Sequence, residues 1–126
     1  MNRARDWAEA YERAWRSGAG EAAAALYSED CVFRSMPFRE LEDARAYMVR
    51  VIDEAEARGV WFGEPVEHGD RAAIEYWAML VGPDGAESTL AGCHVARFGT
   101  HGLVVEARDY WHLQPGHRSP PDGWGR

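Results

Sequence analysis

With 126 residues, 46% hydrophobic and 28% charged, the chain is long enough for one domain with a real core and has the composition of an ordinary soluble globular protein. A net charge of -7 with scattered basic residues argues against a nucleic-acid partner, and no apolar run approaches the length of a membrane span. All fourteen basic residues are arginine, which excludes Schiff-base chemistry and a lysine general base.

The first residues carry no apolar signal-peptide core, and Cys31 and Cys93 lack a CxxC spacing and read as free thiols. Both features predict a cytoplasmic protein. Over residues 3–16, Ala4, Trp7, Ala8, Tyr11, Ala14 and Trp15 recur at helical spacing, and Gly18 and Gly20 end that helix. Residues 21–27 form a short second helix of high intrinsic propensity. Residues 31–35 read as a brief strand ended by Met36 and Pro37. Leu41, Ala44, Met48, Val51, Ile52 and Ala55 make the apolar stripe of a third helix over 41–58, closed by Gly59.

From Val60 the period becomes two. Residues 60–67 read as a strand interrupted by Gly63 and Pro65, followed by a tight turn at His68, Gly69 and Asp70. Long strands over 71–81, 87–98 and 103–113 are joined by short Gly-rich turns, which predicts an antiparallel meander. Helices before strands make the class α+β, a single domain over 1–126 with its core at about 4–113. The tail, 114–126, contains Pro115, Pro120 and Pro121 and has no period. It is expected on the surface, either closing a pocket or crossing to a second subunit.

The strand faces point to a site. In the last strand Leu103, Val105, Ala107, Asp109 and Trp111 share one side, apolar but for a single carboxylate. A lone inward Asp is costly unless it is paired or has chemistry to perform. The inward sets Ala72, Ile74, Tyr76, Ala78, Leu80 and Leu90, Gly92, His94, Ala96, Phe98 add two more polar groups, Tyr76 and His94. Ser35 would contribute a hydroxyl from the first strand, and Tyr11, Trp15, Phe33, Trp61 and Trp111 aromatic walls. A largely apolar pocket with a few convergent polar groups suits a small apolar molecule. The outward set, Glu75, Trp77, Met79, Val95, Arg97, Arg108 and Tyr110, is too apolar for a free surface and predicts a homodimer through that face. No His pair has ligand spacing, no phosphate loop follows a strand and no nucleophile elbow is present, so no metal or cofactor is expected.

This order of elements, with the stretch from Asp30 to Pro37 after two helices and the run from Arg108 to His112 at the end, resembles the nuclear transport factor 2-like superfamily, and within it SnoaL-like proteins. The resemblance implies a cone: a curved antiparallel sheet wrapped against three N-terminal helices around a deep pocket. It spans ketosteroid isomerases, polyketide cyclases, limonene epoxide hydrolases, scytalone dehydratase and binding-only members, and its dimers commonly form through the outer sheet face. Asp109 aligns with the general acid of the epoxide hydrolases. Their Tyr and Asn stand where this chain has Phe33 and Ser35, and their Arg and water-activating Asp where it has Tyr76 and Ala78, so epoxide hydrolysis is rejected. Asp30 lies outside the pocket, which weakens a ketosteroid isomerase assignment. Two readings remain. One is a cofactor-free isomerase, cyclase or dehydratase acting on an apolar carbonyl compound, with Asp109 moving the proton, His94 tuning it and Tyr76 or Tyr11 stabilising the oxyanion. The other is a non-catalytic binding module using the same pocket, with Asp109 simply paired to His94 or an arginine.

Overall fold

In the computed structural model, which describes residues 3–126, three helices and seven strands follow in the order α1 (Arg3–Arg16), α2 (Gly20–Ala24), β1 (Tyr27–Arg34), β2 (Glu42–Asp43), α3 (Ala44–Glu54), β3 (Glu56–Phe62), β4 (Val66–His68), β5 (Arg71–Val81), β6 (Glu87–Phe98) and β7 (Val104–Pro115). The apolar stripe of α1 is buried at Ala4, Trp7, Ala8, Tyr11 and Ala14. Asp43 caps α3, its side chain accepting the Ala46 N–H at 3.0 Å. The sheet is curved and unclosed, in the order β2-β1-β7-β6-β5-β3 with β4 also on β5. Its inner residues Ile74, Ala96, Phe98 and Ala107 share one core with Trp7, Tyr11, Met48 and Ile52 from the helices. Among the described residues no helix is long and apolar enough to cross a membrane.

The α+β cone stands as expected, and β5 and β6 occupy the anticipated residues. Several details differ. Helix α3 ends at Glu54, not near Arg58, and Gly59 lies inside β3 rather than closing a helix. The β3–β5 register shifts between Ala57 and Gly59, and a Cβ at Gly59 would sit 2.7 Å from the Trp61 ring, so the glycine answers a close approach in a strand. Leu41 precedes α3 and is 56% exposed. The strand read over 60–67 is two strands, parted at Gly63 and Pro65, each pairing with β5.

Tyr27 opens β1 instead of ending α2, and is fully buried. The meander covers β5 to β7, whereas β1 joins β7 in parallel because most of the chain runs between them. In β7 the partner of Arg97 is Glu106 and that of Phe98 is Val104. Val105 is thus an extra, bulged residue, so Val104 rather than Leu103 and Val105 enters the core. No residue of the tail is among those that line the cavity. The tail crosses the outer sheet face, where the Trp77 indole N–H donates to Arg118 O at 2.7 Å and the Trp124 ring stands edge-on to Trp77 at 5.9 Å. Thr89 Oγ1 donates to Gly116 O at 2.7 Å and anchors its start. Part of the face assigned to a partner is therefore covered by the chain itself.

Candidate functional site

The registers of β5, β6 and β7 stack two inward rows: Ile74, His94, Asp109 and, one pleat nearer the mouth, Tyr76, Gly92, Trp111. Above them lies a cavity of about 360 Å³ closed by α1 and α3, with Met48, Ile52, Phe62, Leu80 and Leu90 among its apolar walls. Gly92 keeps its row open. A Cβ there would fall 2.6 Å from the Tyr76 hydroxyl, which crosses that gap to reach the next row.

Asp109 is 8% exposed. Its Oδ1 accepts from the Tyr76 hydroxyl at 2.8 Å and from the Tyr110 N–H at 3.1 Å, and His94 Nδ1 stands 3.6 Å from the same oxygen. His94 Nε2 lies 2.9 Å from the Tyr27 hydroxyl, and the His94 ring stacks on Trp7 at 5.8 Å. A Tyr27 hydroxyl donating to Nε2 leaves the ring proton on Nδ1, facing Asp109. The result is a buried chain, Tyr76–Asp109–His94–Tyr27, drawn from four strands.

Tyr11 also lines the cavity, and its hydroxyl donates to Met48 Sδ at 2.8 Å. Burial, and then the charge of Asp109, raises the pKa of Tyr11 and Tyr76 well above the tyrosine range. Tyr27 is raised by burial and then by Tyr11, and Tyr47 by burial and then by Asp109. These phenols stay protonated and serve as donors, not as bases.

Of the residues singled out in the sequence, Tyr11, Trp15, Tyr76, His94, Asp109 and Trp111 border the cavity. Phe33 does not: it is fully buried behind the wall, its ring 5.1 Å from Tyr47 and 6.3 Å from His94. Ser35 is also fully buried, its hydroxyl donating to Glu42 at 2.5 Å and its carbonyl accepting the Trp111 indole N–H at 2.8 Å. Trp61 faces outward, paired in register with Trp77 and 6.0 Å from the Arg16 guanidinium, because its neighbours Val60 and Phe62 point inward. Among the described residues no three His, Cys, Asp or Glu side chains converge as a metal ion would need.

Sequence reasoning missed Tyr27, Tyr47 and Arg39. Tyr27 was hidden at the end of an alanine run. Tyr47 sits on α3 beside the counted apolar stripe, where its spacing from Ala44 was a usable signal. Arg39 lies in the loop between β1 and β2, where no period exists to mark it.

The sequence profile described as SnoaL-like domain matches residues 8–107. No curated protein matches the sequence. Among solved structures the chain is similar to a Delta 5-3-ketosteroid isomerase from Mycobacterium sp., with 18% identity, 92% of this chain and 100% of that one covered, and a TM-score of 0.73. It is similar to the epoxide hydrolase/cyclase-like enzyme SalBIII of pyran ring formation in polyether salinomycin, with 15% identity, 89% and 95% coverage and a TM-score of 0.74. It is also similar to a computationally designed 17-OHP binder, with 19% identity, 94% and 100% coverage and a TM-score of 0.72. At such identities the likeness concerns the fold.

Proposed function

The chain belongs to the SnoaL-like domain family, and from that premise we propose that its cavity takes a small apolar carbonyl compound on which Asp109 moves a proton, without a cofactor, as in an isomerase, cyclase or dehydratase. The observation that carries this reading is a carboxylate set in the buried wall of an apolar cavity, its Oδ1 held by Tyr76 at 2.8 Å. Both hydrogen bonds to that side chain from the described residues fall on Oδ1, which leaves Oδ2 to meet a substrate.

The chemistry follows from the groups present. The Asp109 carboxylate takes a proton from the carbon beside the substrate carbonyl, and the electron pair moves onto the carbonyl oxygen as an enolate. Tyr76 is engaged with Asp109, so Tyr11 is the freer donor to that oxygen. Its present acceptor is a thioether, a weak one that is readily exchanged. The proton then returns from Asp109 to a different carbon (isomerisation), or the enolate carbon attacks a second carbonyl and the proton ends on the new alkoxide (cyclisation). His94 is a positioning residue: with Tyr27 behind it, it holds the carboxylate in place.

Asp109→Asn tests this. Against a panel of enolisable apolar ketones, the wild type exchanges α-protons for deuterium by NMR, and the variant should lose about 10²–10⁴-fold in rate while binding nearly as well. An unchanged rate in the variant overturns the assignment. The second reading, a binding module without turnover, is favoured by the commitment of the Tyr76 hydroxyl to Asp109, and the same fold carries a designed binder. Ligand binding by the wild type with no exchange of any ketone in the panel would select it. The outer face supports a homodimer through the half that the tail leaves bare, where Val95, Arg97, Arg108 and the 43%-exposed Tyr110 lie. Trp77, beneath the tail, is no longer part of it.

A further inference from the structure

The mouth of the cavity is charged, whereas its walls are apolar apart from His94 and Asp109. Arg39, Arg50 and Glu54 border it. Arg50 is shared by two carboxylates, Glu42 at 3.5 Å and Glu54 at 3.8 Å, and its guanidinium lies over the Tyr47 ring at 5.2 Å. Arg39 is different. Among the described residues no carboxylate oxygen lies within 4.0 Å of it, the ion-pair limit. The guanidinium donates to Ser35 Oγ at 3.2 Å and lies over the Trp111 ring at 5.4 Å. Glu42, the nearest acidic neighbour through Ser35, is occupied by the Ser35 hydroxyl at 2.5 Å and by Arg50.

This arginine is also held in place. The Trp111 ring beneath it is fixed by its indole N–H donating to Ser35 O at 2.8 Å. The Arg39 N–H donates to Met36 O at 3.1 Å, and its carbonyl accepts from the Arg34 guanidinium. A guanidinium has five N–H donors, so most of the fork is spare, held over an aromatic ring at the entrance to an apolar chamber. Such a fork matches a carboxylate. At the far end, Asp109 disfavours a second acidic group, which sets the direction in which an anionic ligand enters.

We propose that the ligand of this cavity is an apolar oxo acid, with its carboxylate received by Arg39 at the mouth, its hydrocarbon or aromatic body filling the chamber and its carbonyl turned toward Asp109. The proposal rests on the reading of the cavity as a site for an apolar carbonyl compound and narrows the class. Arg39 is then the residue that distinguishes an acid from its neutral ester.

Isothermal titration with octanoate, decanoate and dodecanoate, and with the methyl ester of each, tests the anion end separately from catalysis. The wild type should bind the best acid about tenfold more tightly than its ester, from one charge-assisted contact at a partly exposed site. Arg39→Gln, at an exposed loop position, should lose that tenfold for the acid and leave the ester unchanged. Arg39→Lys should fall between them. Added salt should weaken acid binding to the wild type alone. Equal binding of acid and ester by the wild type, or a preference for acid that survives in Arg39→Gln, overturns the proposal. Esters that bind while acids do not overturn it and leave the apolar cavity reading standing. If neither series binds, both fail.

Discussion

Gly92 is the position at which one methyl group would disturb the site most. An added Cβ would stand 2.6 Å from the Tyr76 hydroxyl, 2.6 Å from the Tyr110 carbonyl oxygen and 2.8 Å from Trp111 Cβ. The carbonyl belongs to the adjacent strand, and the hydroxyl is the one that binds Asp109, so neither yields freely. Overpacking a filled site costs about 1–3 kcal/mol, and separating a hydroxyl from a buried carboxylate about 1.5–3 kcal/mol. Gly92→Ala should therefore destabilise the fold by roughly 3–5 kcal/mol, and Tyr76→Phe by the second cost alone. At roughly 3–5 °C per kcal/mol for a domain of this size, the alanine variant should melt about 10–25 °C lower. Urea unfolding followed by circular dichroism, with unchanged m-values, measures the difference. On the Tyr76→Phe background the hydroxyl is already gone, so Gly92→Ala should cost about 1.5–3 kcal/mol less than in the wild type. Additivity within about 0.5 kcal/mol, or an alanine variant no weaker than Tyr76→Phe, would refute the claim that Gly92 exists to let this hydroxyl pass.

Alkaline pH should unfold the protein through its buried phenols. Tyr11, Tyr27 and Tyr76 have folded pKa values raised above the unfolded value, chiefly by burial, so their contribution is complete below about pH 10 and is lost as pH rises through the folded values. Above about pH 10 the unfolded chain has given up protons that the folded one keeps, and stability should fall by about 1.4 kcal/mol per pH unit for each such tyrosine. Urea midpoints against pH measure this, and phenolate absorbance should rise with unfolding; ionisation of these tyrosines in an intact fold would contradict it. The bare half of the outer face predicts a dimeric mass by light scattering at micromolar concentration and a monomer for Tyr110→Glu. A monomeric wild type removes that interface.

The parts of the site on long antiparallel strands were legible in the sequence because period two and short turns leave little freedom. Once β5, β6 and β7 are in register, Ile74, His94 and Asp109 must share a row. The same parity rule excludes Trp61, whose neighbours Val60 and Phe62 both face the core, although its aromatic character alone suits a cavity wall. Leu103 and Val105 failed for another reason, since a one-residue bulge at Val105 reverses the parity of everything before it. Arg39 depends on where an aperiodic loop settles, which local pattern does not carry, whereas the spacing of Tyr47 from Ala44 marks its helix face and only the roll of α3 against the sheet brings it to the cavity.

A carboxylate on an inward strand position announces that a donor must exist, because an unpartnered charge in that wall would be too costly to keep. It does not announce which donor. The one found, Tyr76, is neither in the same row as Asp109 nor on a neighbouring strand, and it reaches the carboxylate only because the residue between them, Gly92, has no side chain. The functional statement is thus carried jointly by a charged residue that sequence marks, a phenol that looks like core packing, and a glycine that looks like a weak point in a strand. Three-dimensional register is what turns those three unrelated signals into one site.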